Sequence, residues 1–361
     1  MLIGEAYGRN EQALGYGFVG AGGVELLRML HDAGVIELTS EDTSFISKFW
    51  NEGKPEYIDM VWRLHPEIYR TNVFNIHPPG NDIRTLCGPK ASGIRGYPAL
   101  SQSKFLRREY IPNLEALADE IAAVDPNLVV ALGNTPLWAL CGTTGISKIR
   151  GTTRLSTHTI SGYKVLPTYH PAAVLRQWEL RPTTIFDLIK AKREREFPEV
   201  RRPKREIWIE PTIEDIERFI NEHITGCTIC AVDIETSGNQ VTCIGFSPNR
   251  GNAIVIPFYD ARRRNRSYWT DKQVEQQVWR LVASVLSSCS IKKVFQNGLY
   301  DIAFLWRSVG IPVFGAEEDT MLLHHALQPE SLKGLGFLGS IYSDEGAWKQ
   351  QRKTATIKAD E

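Results

Sequence analysis

The chain has 361 residues, of which 42% are hydrophobic, and its 42 Lys and Arg balance its 42 Asp and Glu. This length suits two domains, and the composition excludes a disordered chain. No apolar run is long enough to span a bilayer and the first residues lack a secretory signal, so we expect a protein of the reducing cytoplasm. With zero net charge, any nucleic-acid binding would have to use local basic patches.

The first half of the chain alternates short apolar runs with helical patterns. These patterns predict strands at 2–3, 71–76, 128–132 and 164–167, and helices at 24–33 and 111–124. Strands that alternate with helices indicate an α/β fold with a mostly parallel sheet. Loops that leave the carboxyl ends of such strands meet at one edge of the sheet, where ligands bind.

Four residues in or beside those loops are unusual. Glu5 lies among glycines, which let the backbone approach a ligand closely, and Phe18 lies in a glycine-rich segment where its ring is poorly placed for core packing. Asn72 belongs to the second predicted strand, and His170 directly precedes a proline. Taken singly, each has a structural alternative: a capping carboxylate, an ordinary core ring, a turn former and a hydrogen-bonded histidine.

The same half contains a series of short motifs. They are GEAYG at 4–8, GFVGAG at 17–22, TNV at 71–73, PPGN at 78–81, LGN at 132–134, IRG at 149–151 and HPAAVLR at 170–176. In this order they resemble the uracil-DNA glycosylase superfamily, and family 4 in its phage variant is the best match. The resemblance implies a three-layer α/β/α sandwich and an enzyme of DNA repair, which flips uracil out of DNA and hydrolyses its N-glycosidic bond.

The resemblance also implies roles for individual residues. Phe18 would stack on the flipped uracil, and Asn72 would read its Watson–Crick edge. Glu5 and Glu11 would orient the attacking water and stabilise the positive sugar, while His170 would stabilise charge on the departing base.

Two further residues of the last motif are implied to contact DNA. Leu175 would wedge into the duplex, and Arg176 would hold a phosphate. The substrate would be uracil-containing DNA, single- or double-stranded, and the excision step needs no metal or nucleotide cofactor.

The cysteines depart from the family 4 pattern, in which four cysteines usually hold an iron-sulfur cluster. His77 stands where one ligand cysteine is usual, and this half of the chain contains only Cys87 and Cys141. We therefore predict that no iron-sulfur cluster is bound.

A charge-dense stretch with two prolines separates the two halves of the chain. It predicts a glycosylase-like domain at 1–192, a charged linker at 193–206 and a second domain at 207–361. In that second domain the patterns predict strands at 228–235, 241–247, 253–258 and 293–296, and helices at 213–224 and 272–287.

The first of those strands presents two carboxylates on one face, because Asp233 and Glu235 are alternate residues. The flanking residues indicate a buried strand, which favours a bound cation, although a solvated edge strand is the alternative. Asp301 opens a later helix, where a lone aspartate commonly complements the helix dipole.

Residues 233–236 and 297–305 resemble motifs of the DEDD 3′-5′ exonucleases that are fused to family A DNA polymerases. The resemblance implies a ribonuclease H-like α/β domain with a mixed sheet and two divalent cations, Mg or Mn. Asp233 would bridge the cations, Glu235 would bind one of them, Asp301 would hold the other, and Asp319 would be structural. A third motif, with a tyrosine four residues before an aspartate, is missing, so we expect an incomplete domain; Asp360 is a possible replacement.

A basic and aromatic segment lies in the same domain. It could form a tract for single-stranded DNA or a solvated loop, and it comprises Arg262, Arg263, Arg264, Arg266, Tyr268 and Trp269.

The leading functional hypothesis is therefore uracil excision from DNA, in the cytoplasm of a phage-infected bacterium. The alternatives are a proofreading 3′-5′ exonuclease, completed by a separate DNA polymerase polypeptide, and a non-catalytic DNA-binding module.

Overall fold

The structure, a computed structural model, describes residues 1–343 and 345. It divides into two compact units: the first contains Met1–Arg201 and residues 336–343, and the second contains Arg202–Leu335. The predicted boundaries at 192 and 207 remain a prediction. Throughout the described residues, every helix is too short or too polar to cross a membrane.

The first unit alternates strands and helices. Its strands are β1 (Leu2–Ala6), β2 (Arg70–Phe74), β3 (Cys87–Gly88), β4 (Phe105–Leu106), β5 (Val129–Leu132), β6 (Arg154–Leu155) and β7 (Lys164–Thr168). Its helices are α1 (Arg9–Leu14), α2 (Ala21–Asp32), α3 (Ser40–Glu52), α4 (Glu56–Arg63), α5 (Ile111–Val124), α6 (Asn134–Cys141), α7 (Ile146–Ile149), α8 (Pro171–Arg176) and α9 (Leu180–Glu194). The main sheet has the order β2-β1-β5-β7-β6, and only β6 is antiparallel to its neighbour.

Both faces of this sheet are buried. Successive strand residues point to opposite faces, so Leu2 and Val130 join one apolar cluster while Ile3 and Val129 join another. The first cluster is completed by α2, α3, α4 and α9, and the second by α5 and α6. This arrangement confirms the predicted three-layer α/β/α sandwich.

Helices α3 and α4 are among those that the sequence patterns did not predict. Helix α3 begins with a capping box, in which the Thr39 side chain accepts a hydrogen bond from the Asp42 backbone N–H and the Asp42 carboxylate accepts one from the Thr39 N–H. Helix α4 buries Trp62 against the core. Both helices have many polar residues, and the tertiary packing of their narrow apolar faces stabilises them.

The second unit contains a mixed sheet. Its strands are β8 (Glu206–Ile209), β9 (Ile229–Ser237), β10 (Gln240–Ser247), β11 (Asn252–Pro257), β12 (Lys292–Phe295) and β13 (Glu318–Asp319). Its helices are α10 (Ile213–Phe219), α11 (Lys272–Leu286), α12 (Gly298–Val309) and α13 (Thr320–Leu327). The order is β13-β12-β9-β10-β11-β8, with β9, β10 and β11 antiparallel and the other neighbours parallel. The predicted mixed-sheet α/β architecture is confirmed.

The last described helix, α14 (Leu335–Tyr342), follows the second unit in the chain. From Gly336 onward it packs as part of the first unit.

The central position of β1 gives a test of this core. Ile3 is fully buried, whereas Ile189 on α9 is exposed. We expect Ile3→Ala to lower the free energy of unfolding of the first unit by roughly 3 kcal/mol, because it leaves a cavity between β1 and the helices. Chemical denaturation measures this loss, and Ile189→Ala, the same change at the surface, should cost less than about 1 kcal/mol. Equal losses would contradict the assigned position of β1.

Candidate active site

The carboxyl ends of β1, β5 and β7 open into a cavity of about 480 Å³ in the first unit. Six of the residues predicted from the sequence line this cavity, namely Glu5, Glu11, Phe18, Asn72, His170 and Arg176. Leu175 does not line it; its side chain is 44% exposed on α8, beside Arg176. The structure thus brings together groups that are up to 171 positions apart, from Glu5 to Arg176.

Glu5 lies at the end of β1 and is half-buried. The Thr135 hydroxyl donates a hydrogen bond to its carboxylate. Burial raises the pKa of Glu5 above its ordinary value, although the Thr135 hydrogen bond and the positive charge of Arg176 oppose the shift. A carboxylate with a raised pKa is a stronger base, which suits it to accept a proton from water.

Glu11 supports the loop that carries the aromatic residue of the site. Its Oε1 accepts a hydrogen bond from the Gly20 backbone N–H at 3.2 Å. The carboxylate therefore connects α1 to the first turn of α2, and it also reaches the cavity.

Phe18 combines a core position with a place in the cavity wall. Its side chain is only 5% exposed and belongs to the first apolar cluster, so the expectation that its ring is poorly placed for core packing is wrong. The backbone has a positive φ of 59°, and the Trp62 indole N–H donates to the Phe18 carbonyl at 2.9 Å. This hydrogen bond stabilises a backbone conformation that a non-glycine residue rarely adopts.

Asn72 presents a buried amide to the cavity. It is 3% exposed, and within the described part of the chain its side chain has no hydrogen-bond partner. A Cβ at Gly4 would lie 2.2 Å from Asn72 Oδ1 and 2.6 Å from Phe18 Cζ, so only glycine fits between them. A buried amide is costly unless a bound group completes its hydrogen bonds, which makes Asn72 a natural binding residue.

His170 is the N-cap of α8, and its Nδ1 accepts a hydrogen bond from the Ala172 backbone N–H at 3.1 Å. Burial lowers the pKa of His170 to about 4, with a smaller contribution from Arg176. The ring is therefore neutral near pH 7, and because Nδ1 accepts, its proton is on Nε2. His170 can donate one hydrogen bond to a ligand, and its ring centroid lies 6.0 Å from that of Phe18.

Several residues of the site had no predicted role. Thr135 holds Glu5 and Trp62 fixes Phe18. Asn134 accepts hydrogen bonds from the backbone N–H groups of Gly145 and Ile146, and so shapes the cavity wall. Asn134 and Thr135 directly follow a strand and could have been found by that signal, whereas nothing in the sequence marks Trp62.

In the second unit, the predicted acidic pair lies on an interior strand with one exposed face. Val232 and Ile234 are buried on β9, and Asp233 and Glu235 point to its exposed face. The expectation that this strand is buried is therefore wrong for the acidic face. Alternating apolar and acidic residues are what a half-buried strand produces.

Asp301 lies in the first turn of α12 and is buried. Its Oδ1 accepts a hydrogen bond from the Ile234 backbone N–H at 3.3 Å. Burial raises the pKa of Asp301 to about 6, and the negative charge of Asp233 adds to the shift.

The carboxylates of the second unit offer oxygen donors, which Mg²⁺ and Mn²⁺ prefer. Within the described residues, however, no group of three or more Asp, Glu, His or Cys side chains is arranged to hold a metal ion. The donor chemistry fits a divalent cation, while the arrangement does not form a closed ligand set. Asp360 lies outside the described residues.

Asp319 has a structural position. Its carboxylate accepts hydrogen bonds from four backbone N–H groups, those of Asn297, Gly298, Met321 and Leu322. Burial acts to raise its pKa, but these four donors outweigh burial and lower the pKa below its ordinary value.

The basic segment of the second unit is partly committed to internal contacts. Asp260 pairs with Arg262 and with Arg263, and Trp269 is buried in the core. Only Arg264 and Arg266 of the four arginines lack such a pairing among the contacts of the described residues. This geometry favours the solvated loop over a continuous stacking surface.

Two family models match the sequence. The Uracil DNA glycosylase superfamily matches residues 1–195, and the 3′-5′ exonuclease family of DNA polymerase A type matches residues 209–354. The chain belongs to the uracil DNA glycosylase superfamily, and residues 209–354 are similar to the 3′-5′ exonuclease family.

Curated relatives match the same two parts. The chain is 26% identical over 196 residues to the type-4 uracil-DNA glycosylase of Thermotoga maritima, a match that covers 53% of this chain and 75% of that protein. It is 28% identical over 199 residues to the type-4 uracil-DNA glycosylase of Saccharolobus solfataricus, with 53% and 69% covered. It is 24% identical over 233 residues to the DNA polymerase of Bacillus phage SP01, covering 57% of this chain and only 24% of the polymerase.

Solved structures include nucleases with weak similarity. Brucella melitensis NrnC is 18% identical, covers 40% of this chain and 63% of its own length, and has a TM-score of 0.28. Its form with bound Mg²⁺ is 17% identical, with 40% and 64% covered and a TM-score of 0.27.

The lowered pKa of His170 predicts a pH-dependent stability. As the pH falls from 6.5 towards about 4, the unfolded chain binds a proton at this histidine that the folded chain does not. The folded state therefore loses stability across this window, up to roughly 3 kcal/mol. His170→Asn, which preserves a capping acceptor, should remove this part of the loss when the free energy of unfolding is measured at both ends of the window. His31→Asn, at an exposed site, is the control; identical pH profiles for the wild type and His170→Asn would refute the assignment.

Proposed function

We propose that the first unit excises uracil from DNA by hydrolysis of the N-glycosidic bond. The observation that supports this most directly is the cavity at the carboxyl edge of the sheet, where Glu5, Phe18, Asn72 and His170 converge. An aromatic wall, an amide that borders the cavity, a half-buried acid and a neutral histidine are what recognition and release of a planar base require.

Base recognition uses the two buried groups beside Gly4. Phe18 stacks on the flipped uracil, and the Asn72 amide hydrogen-bonds its Watson–Crick edge, which completes the hydrogen bonds of that amide. Both side chains are buried against the Gly4 backbone, at a distance that a Cβ would not allow, which supports their being in place before the base arrives.

Cleavage of the N-glycosidic bond leaves positive charge on the sugar and negative charge on the uracil, and the site has a side chain to stabilise each of them. Water attacks the sugar carbon, the bonding electron pair leaves with the uracil nitrogen, and Glu5 accepts the water proton, with Glu11 adding negative charge near the cationic sugar. The His170 Nε2–H donates a hydrogen bond to the uracil oxygen on which negative charge develops. A neutral histidine suits this role because it donates without first binding a proton.

Contact with DNA is assigned to the exposed end of α8. Leu175 is exposed, and the neighbouring Arg176 reaches the cavity edge. Leu175 occupies the space that the flipped nucleotide leaves in the stack, and Arg176 holds a phosphate beside it.

No iron-sulfur cluster is part of this proposal. The phage polymerase relative supports a cytoplasmic role in a phage-infected bacterium.

The decisive experiment incubates the full chain with an oligonucleotide that contains a single uracil. The wild type should leave an alkali-labile abasic site, and Glu5→Gln should slow excision by roughly 100-fold or more, because the amide cannot accept the proton. Glu37→Gln, at an exposed carboxylate outside the cavity, is the matched control. A wild-type protein that leaves no abasic site, in duplex or in single strands, would falsify the proposal.

A second candidate activity, 3′-5′ exonuclease cleavage, is favoured by the hydrogen bond between the Asp301 carboxylate and the backbone N–H of Ile234, the residue after Asp233. Asp233, Glu235 and Asp301 would hold two divalent cations, which when bound supply an activated water and stabilise the leaving oxygen.

The exposed leucines Leu299 and Leu322 border an open apolar cavity, and they support a contact with a separate DNA polymerase polypeptide.

Cation binding can be tested without an activity assay. We expect Mg²⁺ or Mn²⁺ to raise the Tm of the wild type, because a ligand that binds only the folded state stabilises it. Asp301→Asn should abolish the increase, and Glu222→Gln, on the turn after α10, should retain it. If the Tm of the wild type and of Asp301→Asn respond equally to the cations, Asp301 is not a ligand.

A further inference from the structure

The first unit contains a buried polar network that the proposed chemistry does not use. Arg150, from the IRG motif, and Asp187, on α9, are 2% and 1% exposed at their side chains. The Arg150 Nε donates to Asp187 Oδ2 at 2.7 Å, and a second guanidinium nitrogen donates to Oδ1. A buried ion pair of this kind is stable only when its remaining donors and acceptors are also satisfied.

Helix α14 supplies the remaining acceptor. The third guanidinium nitrogen of Arg150 donates to the Ser340 hydroxyl at 2.9 Å, and that hydroxyl donates in turn to the Phe337 carbonyl at 2.7 Å. The Phe337 ring also lies 5.4 Å from the Arg150 guanidinium carbon. Residues that follow the second unit in the chain thus complete the charge pairing inside the first unit.

A lysine makes a second connection to α14. Lys190 Nζ donates to the carbonyls of Gly151, Ser340 and Ser343 at 2.7, 2.7 and 2.8 Å. Gly151 has a positive φ of 72°, and a Cβ there would lie 2.5 Å from Asp187 Oδ1 and 3.0 Å from the Ser340 carbonyl oxygen. The glycine of the IRG motif is therefore required for the close approach of α14.

Both connections end on the last residues of β7. The Thr168 hydroxyl donates to Asp187 Oδ2 at 2.7 Å, and the Gly151 N–H donates to the Pro167 carbonyl at 2.9 Å. Thr168 is two residues before His170, and its carbonyl accepts the Gly133 N–H at 2.8 Å, at the cavity wall.

We propose that α14 is a clasp on the glycosylase unit and that Ser340, Arg150, Asp187 and Thr168 are positioning residues that fix the end of β7. They thereby hold the His170 imidazole at the uracil site; this part of the inference rests on the proposed function. The residues act through hydrogen bonds to the backbone and side chains of β7, without touching the base.

The test uses two variants of the full-length protein, each of which lacks one hydroxyl group of the network. Ser340→Ala deletes the acceptor of Arg150, and Thr168→Val deletes the donor to Asp187. Each should slow single-turnover uracil excision about tenfold while the affinity for DNA changes by less than about twofold, because misplacement of His170 affects the transition state. Thr168→Ser, which restores the hydroxyl, should return the rate to within about twofold of the wild type.

A control removes a hydroxyl outside the network. The Thr184 hydroxyl donates to the Leu180 carbonyl at 2.8 Å, on the first turn of α9. Thr184→Val should excise uracil at the wild-type rate, and a slowing equal to that of Ser340→Ala would overturn the positioning role.

Amide hydrogen exchange provides a readout that is independent of catalysis. Ser340→Ala should speed exchange at the Gly133 and Gly151 amides, which bond to β7. Unchanged exchange would overturn the clasp, whether or not the protein excises uracil. Faster exchange with an unaltered excision rate would overturn the positioning role, and faster exchange in a protein whose wild type makes no abasic sites would overturn the proposed function while supporting the clasp.

Discussion

The absence of a side chain at Gly4 is the constraint on which the candidate active site depends. Gly4 lies on β1, an interior strand of a mostly parallel sheet, and both the Asn72 amide and the Phe18 ring approach it more closely than any Cβ would allow. Because β1 is buried on both faces, this strand cannot shift to accommodate an added atom. A backbone feature in the core therefore fixes two side chains at the cavity.

Burial acts in different ways on the polar groups around this cavity. It raises the pKa of Glu5 and lowers the pKa of His170, so the acid becomes more basic and the histidine remains neutral. Among the described residues the Asn72 amide has no hydrogen-bond partner and borders the cavity, whereas the Arg150–Asp187 pair is buried with its hydrogen bonds made. The Asn72 amide is thus left available to a ligand, while the Arg150–Asp187 ion pair is used by the fold.

In the second unit the carboxylates that were predicted to bind cations differ in their surroundings. Asp233 and Glu235 lie on the exposed face of β9, and Asp301 is buried. The Asp319 carboxylate is fully used by hydrogen bonds from backbone N–H groups. The apolar residues that flank the two acids predict a buried strand, but alternation fixes only which face the acids share. Whether that face is covered depends on elements distant in sequence, so the pattern could not decide it.

The sequence by itself determined the two-part organisation, the layered α/β fold and most of the residues that line the cavity, because strand periodicity and the order of motifs are local properties of the chain. Only the tertiary structure decided that Thr135 holds Glu5, that Trp62 fixes Phe18, and that α14 completes the pairing of Arg150. The last pair, Arg150 and Ser340, are 190 residues apart. Contacts over such separations are set by how whole elements pack, and no local pattern of hydrophobic or charged residues encodes them.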